Sequence, residues 1–235
     1  MIKLFRKHKQ NSLTKGKVVN YFKYAIGEII LVVIGILIAL YINNWNSKRI
    51  EKRTAISIYK NIKRQTKMDK NAISLGLKHN QFLSEKFEYG AQIIEENDRA
   101  KTDTLLEIEL ILVEHSDIDI NSNIYQNLIN SGESKLLKNR IIMEEIQKLE
   151  GTYISINRME KIHYETIQNN IAPYLLKAIK IHDKSARNIN IVFGIDFQNY
   201  FYSTLLISSQ KDLLYNQAIK QIEIITGLID KEIKQ

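Results

Sequence analysis

The residues best suited to chemistry in this chain are few, and their spacing decides what they could do. Glu160 and His163 stand three apart, the helical spacing with which carboxylate-bridged metal bundles present a glutamate and a histidine on one face. Such centres need a second Glu-x-x-His and two further glutamates, and the chain has one copy. His8, His79, His115 and His182 have no partner at ligand spacing, so no metal and no cofactor is expected. Ser-x-x-Lys, a nucleophile pattern of some serine hydrolases, occurs at Ser12/Lys15, Ser57/Lys60 and Ser208/Lys211. Three scattered copies in a lysine-rich chain are what composition alone produces. No GxSxG, GxGxxG, P-loop or HExxH is present, and with no cysteine there is neither a thiol nucleophile nor a disulfide. The sequence gives no support for an enzyme.

The other group of interest is Glu28, at the start of the most apolar stretch. Residues 29–42 contain no charged side chain, and at about 1.5 Å per residue positions 25–42 form roughly 27 Å of helix, close to the hydrocarbon thickness of a bilayer. Tyr24 precedes this run, and Tyr41 and Trp45 close it, where amphipathic rings settle at headgroup depth. Lys48, Arg49, Lys52 and Arg53 follow as candidate contacts to anionic headgroups. A transmembrane helix over 25–46 is therefore expected. The basic tail of residues 1–24 resembles a signal peptide, but no small-x-small cleavage site follows, which favours an uncleaved signal-anchor. Gly27, Gly35 and Ala39 are candidates for a close helix–helix face. Glu28, about one turn inside the aromatic belt, reads as an interfacial acid or, alternatively, as a functional intramembrane group.

Charge distribution sets the partner class. Residues 1–70 carry 16 Lys and Arg against 3 acidic residues, and the remainder 18 against 23. The basicity is juxtamembrane, which points to anionic lipid and away from nucleic acid. It also leaves orientation finely balanced, since cations flank both ends of the apolar run. The expectation is a cytoplasmic N-terminus with the large domain outside.

The elements that position these residues read as helices, with one proline and nine glycines in 235 residues. We expect an all-α fold: a single N-terminal transmembrane helix, a basic helical stalk over 47–71, and an antiparallel helical bundle over 72–235. Within the bundle, residues 95–104 form a polar break with Thr102, Asp103 or Thr104 as cap, and LLEIELILVEH reads as buried helix in preference to strand. Residues 121–131 read as a short helix ended at Gly132. A long helix from Lys135 with Ser134 as its cap is kinked at Pro173 or restarts at Ile171 to Ala172, and residues 183–190 form a loop. Phe193, Phe197, Tyr200, Phe201 and Tyr202 read as an aromatic plug before a last helix.

AIGEIILVVIGILIALYINNWN, over 25–46, resembles the anchor of a family of bacterial single-pass membrane proteins, typical of Bacteroidota, classified only as a domain of unknown function. NIYQNLINSGESKLLKN, over 123–139, is similar to that family's aromatic, Leu, Ser-Gly and Leu-x-Asn stretch. Tyr41 and Glu133 depart from the pattern, standing where a more polar and a more apolar residue respectively are expected. The resemblance implies a Gram-negative inner-membrane location and a helical C-terminal domain, and supplies no catalytic residues. Together these readings describe a membrane-anchored interaction, sensory or scaffold module with a homo-oligomeric partner or another, unidentified protein. The alternative is an oligomeric channel or membrane-perturbing effector using Glu28.

Overall fold

The computed structural model describes residues 17–118, 120 and 123–234. The early tail, with Lys3, Arg6, Lys7, Lys9 and Lys15 and the Ile2/Leu4/Phe5 cluster, lies outside them, as does the Ser12/Lys15 pair. Among the described residues the fold is all-α, with strand confined to one two-residue pair, and the chain divides into two compact units, Met1–Thr54 and Ala55–Gln235.

Helix α1 runs Lys17–Glu95. Residues 28–54 of it are exposed throughout, including every side chain from Ile29 to Ile42. From Ile58 onward a polar and an apolar face alternate with helical period, and Ile58, Tyr59, Ile62 and Ile73 are buried. The solvated stalk expected over 47–71 is thus corrected for its second half: the packed unit starts at Ala55, not near Ala72. The difference arises because Lys60, Arg64 and Lys67 on the outward face and Lys63 and Lys70 at the seam with the last helix surround a narrow aliphatic stripe. Helix α1 ends in a Schellman turn. Asn97 takes the left-handed conformation (φ 51°), and the Asp98 and Asn97 amides donate to Ile93 and Ile94 carbonyls. Asp98 then caps a 3-10 turn over Arg99–Lys101.

Helix α2, Thr102–Leu110, continues into a 3-10 turn over Ile111–Val113, so LLEIELILV is helical as expected. It has no side-chain cap, so Thr102, Asp103 and Thr104 do not play that part. Residues 114–123 follow as a strap without regular structure wherever described. Helix α3 is Ile124–Asn130, ended at Gly132 with φ +74°, the turn expected there. Ser134 does not cap the next helix. It lies in a 3-10 turn, Glu133–Leu136, and helix α4, Arg140–Thr166, begins four residues later, capped by Asn139, whose Oδ1 accepts from the amides of Ile141 and Ile142.

Pro173 has the expected disruptive effect in a specific form. A π-helical turn, Ile167–Ile171, precedes helix α5, Ala172–Ala178, which carries the proline in its first turn, where a missing N–H is least harmful. The loop expected over 183–190 is only partly irregular: β2 (Ser185–Ala186) lies within it, antiparallel to β1 (Ile179–Lys180) just before it, and helix α6, Ile189–Val192, begins inside it. Helix α7, Ile195–Lys234, closes the fold.

Three long segments form the bundle. Lys63 pairs with Asp230 at 2.5 Å, Lys70 with Glu223 at 2.7 Å and Asn80 with Asp212 at 2.7 Å, so residues 55–95 of α1 run antiparallel to α7. Asn139 to Glu232 and Thr152 to Gln217 contacts set α4 antiparallel to α7 as well. Close packing is enforced at Gly90, where an added Cβ would stand 2.6 Å from Phe201 Cζ. The apolar interior comes as two clusters. One joins Ile58–Ile73 positions of α1 with Ile142, Ile146, Leu149, Tyr153 and Ile156 of α4 and Tyr215, Ile222, Ile225 and Ile229 of α7. The other joins Leu83, Phe87 and Ile93 with α2, α5 and Phe197 and Phe201. The aromatic plug is therefore real, with Phe197 and Phe201 fully buried, although Tyr202 faces out.

Candidate functional site

Between the two apolar clusters, each of the three long segments contributes buried polar side chains. On α1 Asn80 falls between Ile73 and Leu83; on α4 Glu160 and His163 fall between Ile156 and Ile167; on α7 Thr204, Ser208 and Lys211 fall between Phe201 and Tyr215. Buried groups of this kind are costly unless hydrogen-bonded, and the bonded ones here converge on Lys211, whereas Thr204 Oγ1 and Ser208 Oγ have no partner among the described residues.

Lys211 is the centre. Its side chain is 1% exposed, and Nζ lies 2.7 Å from Glu160 Oε2, donates to the Ser116 carbonyl at 3.1 Å and stands 3.4 Å from His163 Nδ1. The Tyr215 hydroxyl donates to Glu160 Oε1, which leaves its oxygen to accept from Ser116 Oγ at 2.9 Å. Burial lowers the Lys211 ammonium from its ordinary value and Glu160 opposes that shift. Burial, then the Lys211 charge and His115, push His163 down to about 3, so its imidazole is neutral. An ammonium donating to Nδ1 fixes the proton on Nε2, and Nε2 has no hydrogen-bond partner among the described residues. Burial and Glu160 raise the Tyr215 phenol, which stays protonated.

This arrangement answers both chemical readings of the sequence. Glu160 and His163 do converge, but the Lys211 ammonium sits between them where a cation would have to bind, and no group of three metal-ligating side chains occurs among the described residues. Ser208 Oγ is buried with no hydrogen-bond partner among the described residues, and the Lys211 ammonium is directed to Glu160, Ser116 and His163. His115, which the sequence left without a partner, packs edge-on to His163 with ring centroids 5.5 Å apart. The link spans 48 residues, and no local spacing signals it.

What the cluster holds is the strap. Lys211 and Tyr215 grip Ser116, Asn157 Nδ2 donates to the Ile120 carbonyl at 3.0 Å, and Ile118 seats on Gly76, where an added Cβ would come within 2.1 Å of Ile118 Cδ1. Two open grooves flank the strap. One, about 420 Å³, is bordered by His115, Asp117, Asn157, Glu160, Lys161 and Tyr164; the other, about 360 Å³, by Ala72, Leu75, Gly76, His79, His115 and Asp117.

The residues singled out around the apolar run belong to the first of the two units. Tyr24, Tyr41 and Trp45 are 80%, 73% and 56% exposed, and the Arg49 guanidinium lies over the Trp45 ring at 5.6 Å. Lys48, Lys52, Arg53 and Glu28 are exposed on the same helix. An added Cβ at Gly27 or Gly35 would meet nothing within 4 Å. Gly35 and Ala39 share a face, while Gly27 lies about 80° round the helix from Gly35.

A helical bundle with a polar layer at its middle, joined in one chain to a helix long and apolar enough to cross a membrane, defines the class of this protein. The chain belongs to a family of unknown function, DUF6090, whose model matches residues 28–169. The match takes in the apolar run, the strap, Glu160 and His163, and ends before Lys211 and Tyr215. Neither a curated protein nor a solved structure matches the chain.

Proposed function

We propose that the protein is a membrane-anchored helical interaction or sensory module of a bacterial inner membrane, with residues 25–46 spanning the bilayer, its N-terminus in the cytoplasm and residues 55–235 in the periplasm. One observation carries the anchoring: the side chains of 29–42 are exposed without exception, on a chain whose packed unit buries its Ile and Leu efficiently. A large uncovered apolar surface of this kind marks a membrane or protein contact, and the length of the run with its aromatic and basic flanks favours lipid. Eleven Ile, Leu and Val residues in that run each favour insertion by about 0.3–0.6 kcal/mol, roughly 3–7 kcal/mol together. Tyr24, Tyr41 and Trp45 would lie at the interfaces, with Lys48, Arg49, Lys52 and Arg53 towards anionic headgroups. The open surface at Gly35 and Ala39 leaves room for a second helix to approach.

The test is flotation and alkaline-carbonate extraction of the full chain from native membranes. Wild type should float and resist extraction. Val33→Lys together with Leu37→Lys costs about 5–7 kcal/mol, enough to cancel the insertion term, and should move the protein to the soluble fraction. Release of wild type by carbonate would overturn the proposal. Protease added to spheroplasts should degrade residues 55–235; full protection before lysis would reverse the orientation.

A further inference from the structure

The three long segments bring cations together at one end of the packed unit. Lys63 pairs with Asp230, and Asn139 Nδ2 donates to Glu232, so the first turns of α1 in that unit, the start of α4 and the last turns of α7 are neighbours. Residues 55–64, 133–144 and 227–234 carry eight Lys and Arg and four acidic residues. Seven of the eight cations are exposed, among them Lys60 and Arg64 on α1, Lys138 and Arg140 at the start of α4, and Lys231 and Lys234 on α7. Asp230 and Glu232 are taken up by Lys63 and Asn139, which leaves Glu133 and Glu144 to offset the seven. The opposite end has the reverse sign: residues 85–107 and 165–196 carry seven Lys and Arg and ten acidic residues. We propose that the basic end of the packed unit rests on the anionic headgroups of the bilayer in which the chain is anchored.

The chain itself identifies the partner. Trp45, the last interfacial ring, and Ala55, the first residue of the packed unit, are ten residues apart, which is at most about 36 Å of backbone however the two units are turned. Ala55 packs against the apolar cluster at the basic end. The acidic end lies about 60 Å farther along α1, at about 1.5 Å per residue from Ala55 to Glu95. The end held close to lipid is therefore the one that lipid charge attracts, and the end of like charge is the one held away. A surface fitted to nucleic acid or to an acidic protein has no reason to coincide with the tethered end.

The composition of the end suits that contact. Each Lys or Arg close to an anionic leaflet favours contact roughly fivefold, and the attraction fades within a screening length of about 8 Å at physiological salt, so the cations must project, as these do. Ile141, 57% exposed beside Arg140, and Ile129, 44% exposed near the end of α3, place apolar side chains among the cations, a mixture that the headgroup boundary covers and bulk water does not. Tethering raises the effective concentration of the surface at the bilayer, so a weak contact suffices. The inference rests on the proposed anchoring and adds to it a second contact, made by α1, α4 and α7 of the packed unit and distinct from Lys48, Arg49, Lys52 and Arg53. It needs only headgroup charge and holds for either orientation.

The chain has no cysteine, so a single introduced thiol carries one fluorophore. Full-length protein is labelled at Asn130→Cys or Gly227→Cys, at the basic end, or at Thr104→Cys or Asn169→Cys, at the other. It is reconstituted in phosphatidylcholine vesicles with or without phosphatidylglycerol, and quenching by a nitroxide on the lipid headgroup is measured. Phosphatidylglycerol should raise quenching at the basic end roughly threefold or more and leave the other end unchanged, and salt at about 1 M, where the screening length falls to about 3 Å, should abolish the rise. Lys138→Glu, Arg140→Glu and Lys231→Glu together should abolish it too, with helical circular dichroism and flotation unchanged; if that variant loses helicity, the lipid and salt response of wild type decides. Basic-end quenching indifferent to lipid charge and salt would mean that the tether alone holds this end near the bilayer, and overturns the proposal. An equal response at both ends, or one that survives the triple reversal in folded protein, overturns it as well. Carbonate extraction of the same samples separates the two readings: protein that resists extraction without a charge-dependent response defeats the headgroup contact alone, and a charge-dependent response in protein that carbonate releases defeats the anchor alone.

Discussion

Glu109 offers the sharpest quantitative test of the fold. It lies on the inward face of α2 with Leu105, Leu106 and Ile108, is fully buried, and neither carboxyl oxygen has a hydrogen-bond partner among the described residues. Burial alone raises its pKa from the ordinary 4.5 to about 9, so the folded protein holds a neutral acid at neutral pH. Unfolded, the same group ionises at its ordinary value. The stability contributed by the folded-state proton is therefore fully present below pH 4.5 and is lost progressively as pH rises to about 9. The slope is about 1.4 kcal/mol per pH unit, so wild type loses roughly 3 kcal/mol between pH 5 and pH 7 through this one residue. Glu109→Gln keeps the shape and removes the titration. Thermal melts of both full-length proteins in detergent at pH 5, 7 and 8.5 measure the difference. At about 2–4 °C per kcal/mol for a domain of this size, the variant's advantage in Tm should grow by about 6–12 °C from pH 5 to pH 7 and continue to grow at pH 8.5. Parallel curves for the two proteins would refute the reasoning, because they would mean that the Glu109 carboxyl finds solvent or a cation that the packing denies it.

Two further predictions bear on the packed unit. Lys211→Met leaves Glu160 buried without its counter-ion and should cost about 3–5 kcal/mol in denaturant unfolding, whereas Lys211→Met combined with Glu160→Gln should recover most of that loss; a double variant no better than the single one would show that the two do not act as a pair. Gly90→Ala drives a methyl group into Phe201 and Ile108, both buried, and should lower stability by about 1–3 kcal/mol, read as a shift in unfolding midpoint at unchanged m-value.

Much of this architecture was legible in the residues. The apolar run stood out by length and composition, Gly132 marked its turn because only a residue without a Cβ adopts φ +74° without strain, and Pro173 marked the break in the α4–α5 path. The start of the packed unit was not legible. Ile58 and Ile62 are spaced as a core stripe, but Tyr59 contributes an unexpected third buried residue, and five cations around the stripe dominate the local composition. The cap of α4 was misplaced because Ser134 and Asn139 are both good capping residues, and the 3-10 turn over 133–136 that separates them has no distinct pattern. The polar layer was the least accessible. Glu160 and His163 were visible as a pair, but Lys211, Tyr215, Ser116 and His115 join them only through tertiary contacts across about 50 to 95 residues, and no periodicity encodes that.

The polar layer also fixes how the helices may be assembled wrongly. Faces made of isoleucine at repeating intervals are nearly interchangeable, so α7 could in principle slide along α4 by one turn at little apolar cost. Such a slide, about 5.4 Å, would carry the Lys211 ammonium away from Glu160 and leave it beside Ile156 or Ile167, a buried charge without a counter-ion. Lys211 thus works as an index pin: among several ways of stacking the same three greasy faces, it penalises every one except that in which the strap has something to hold.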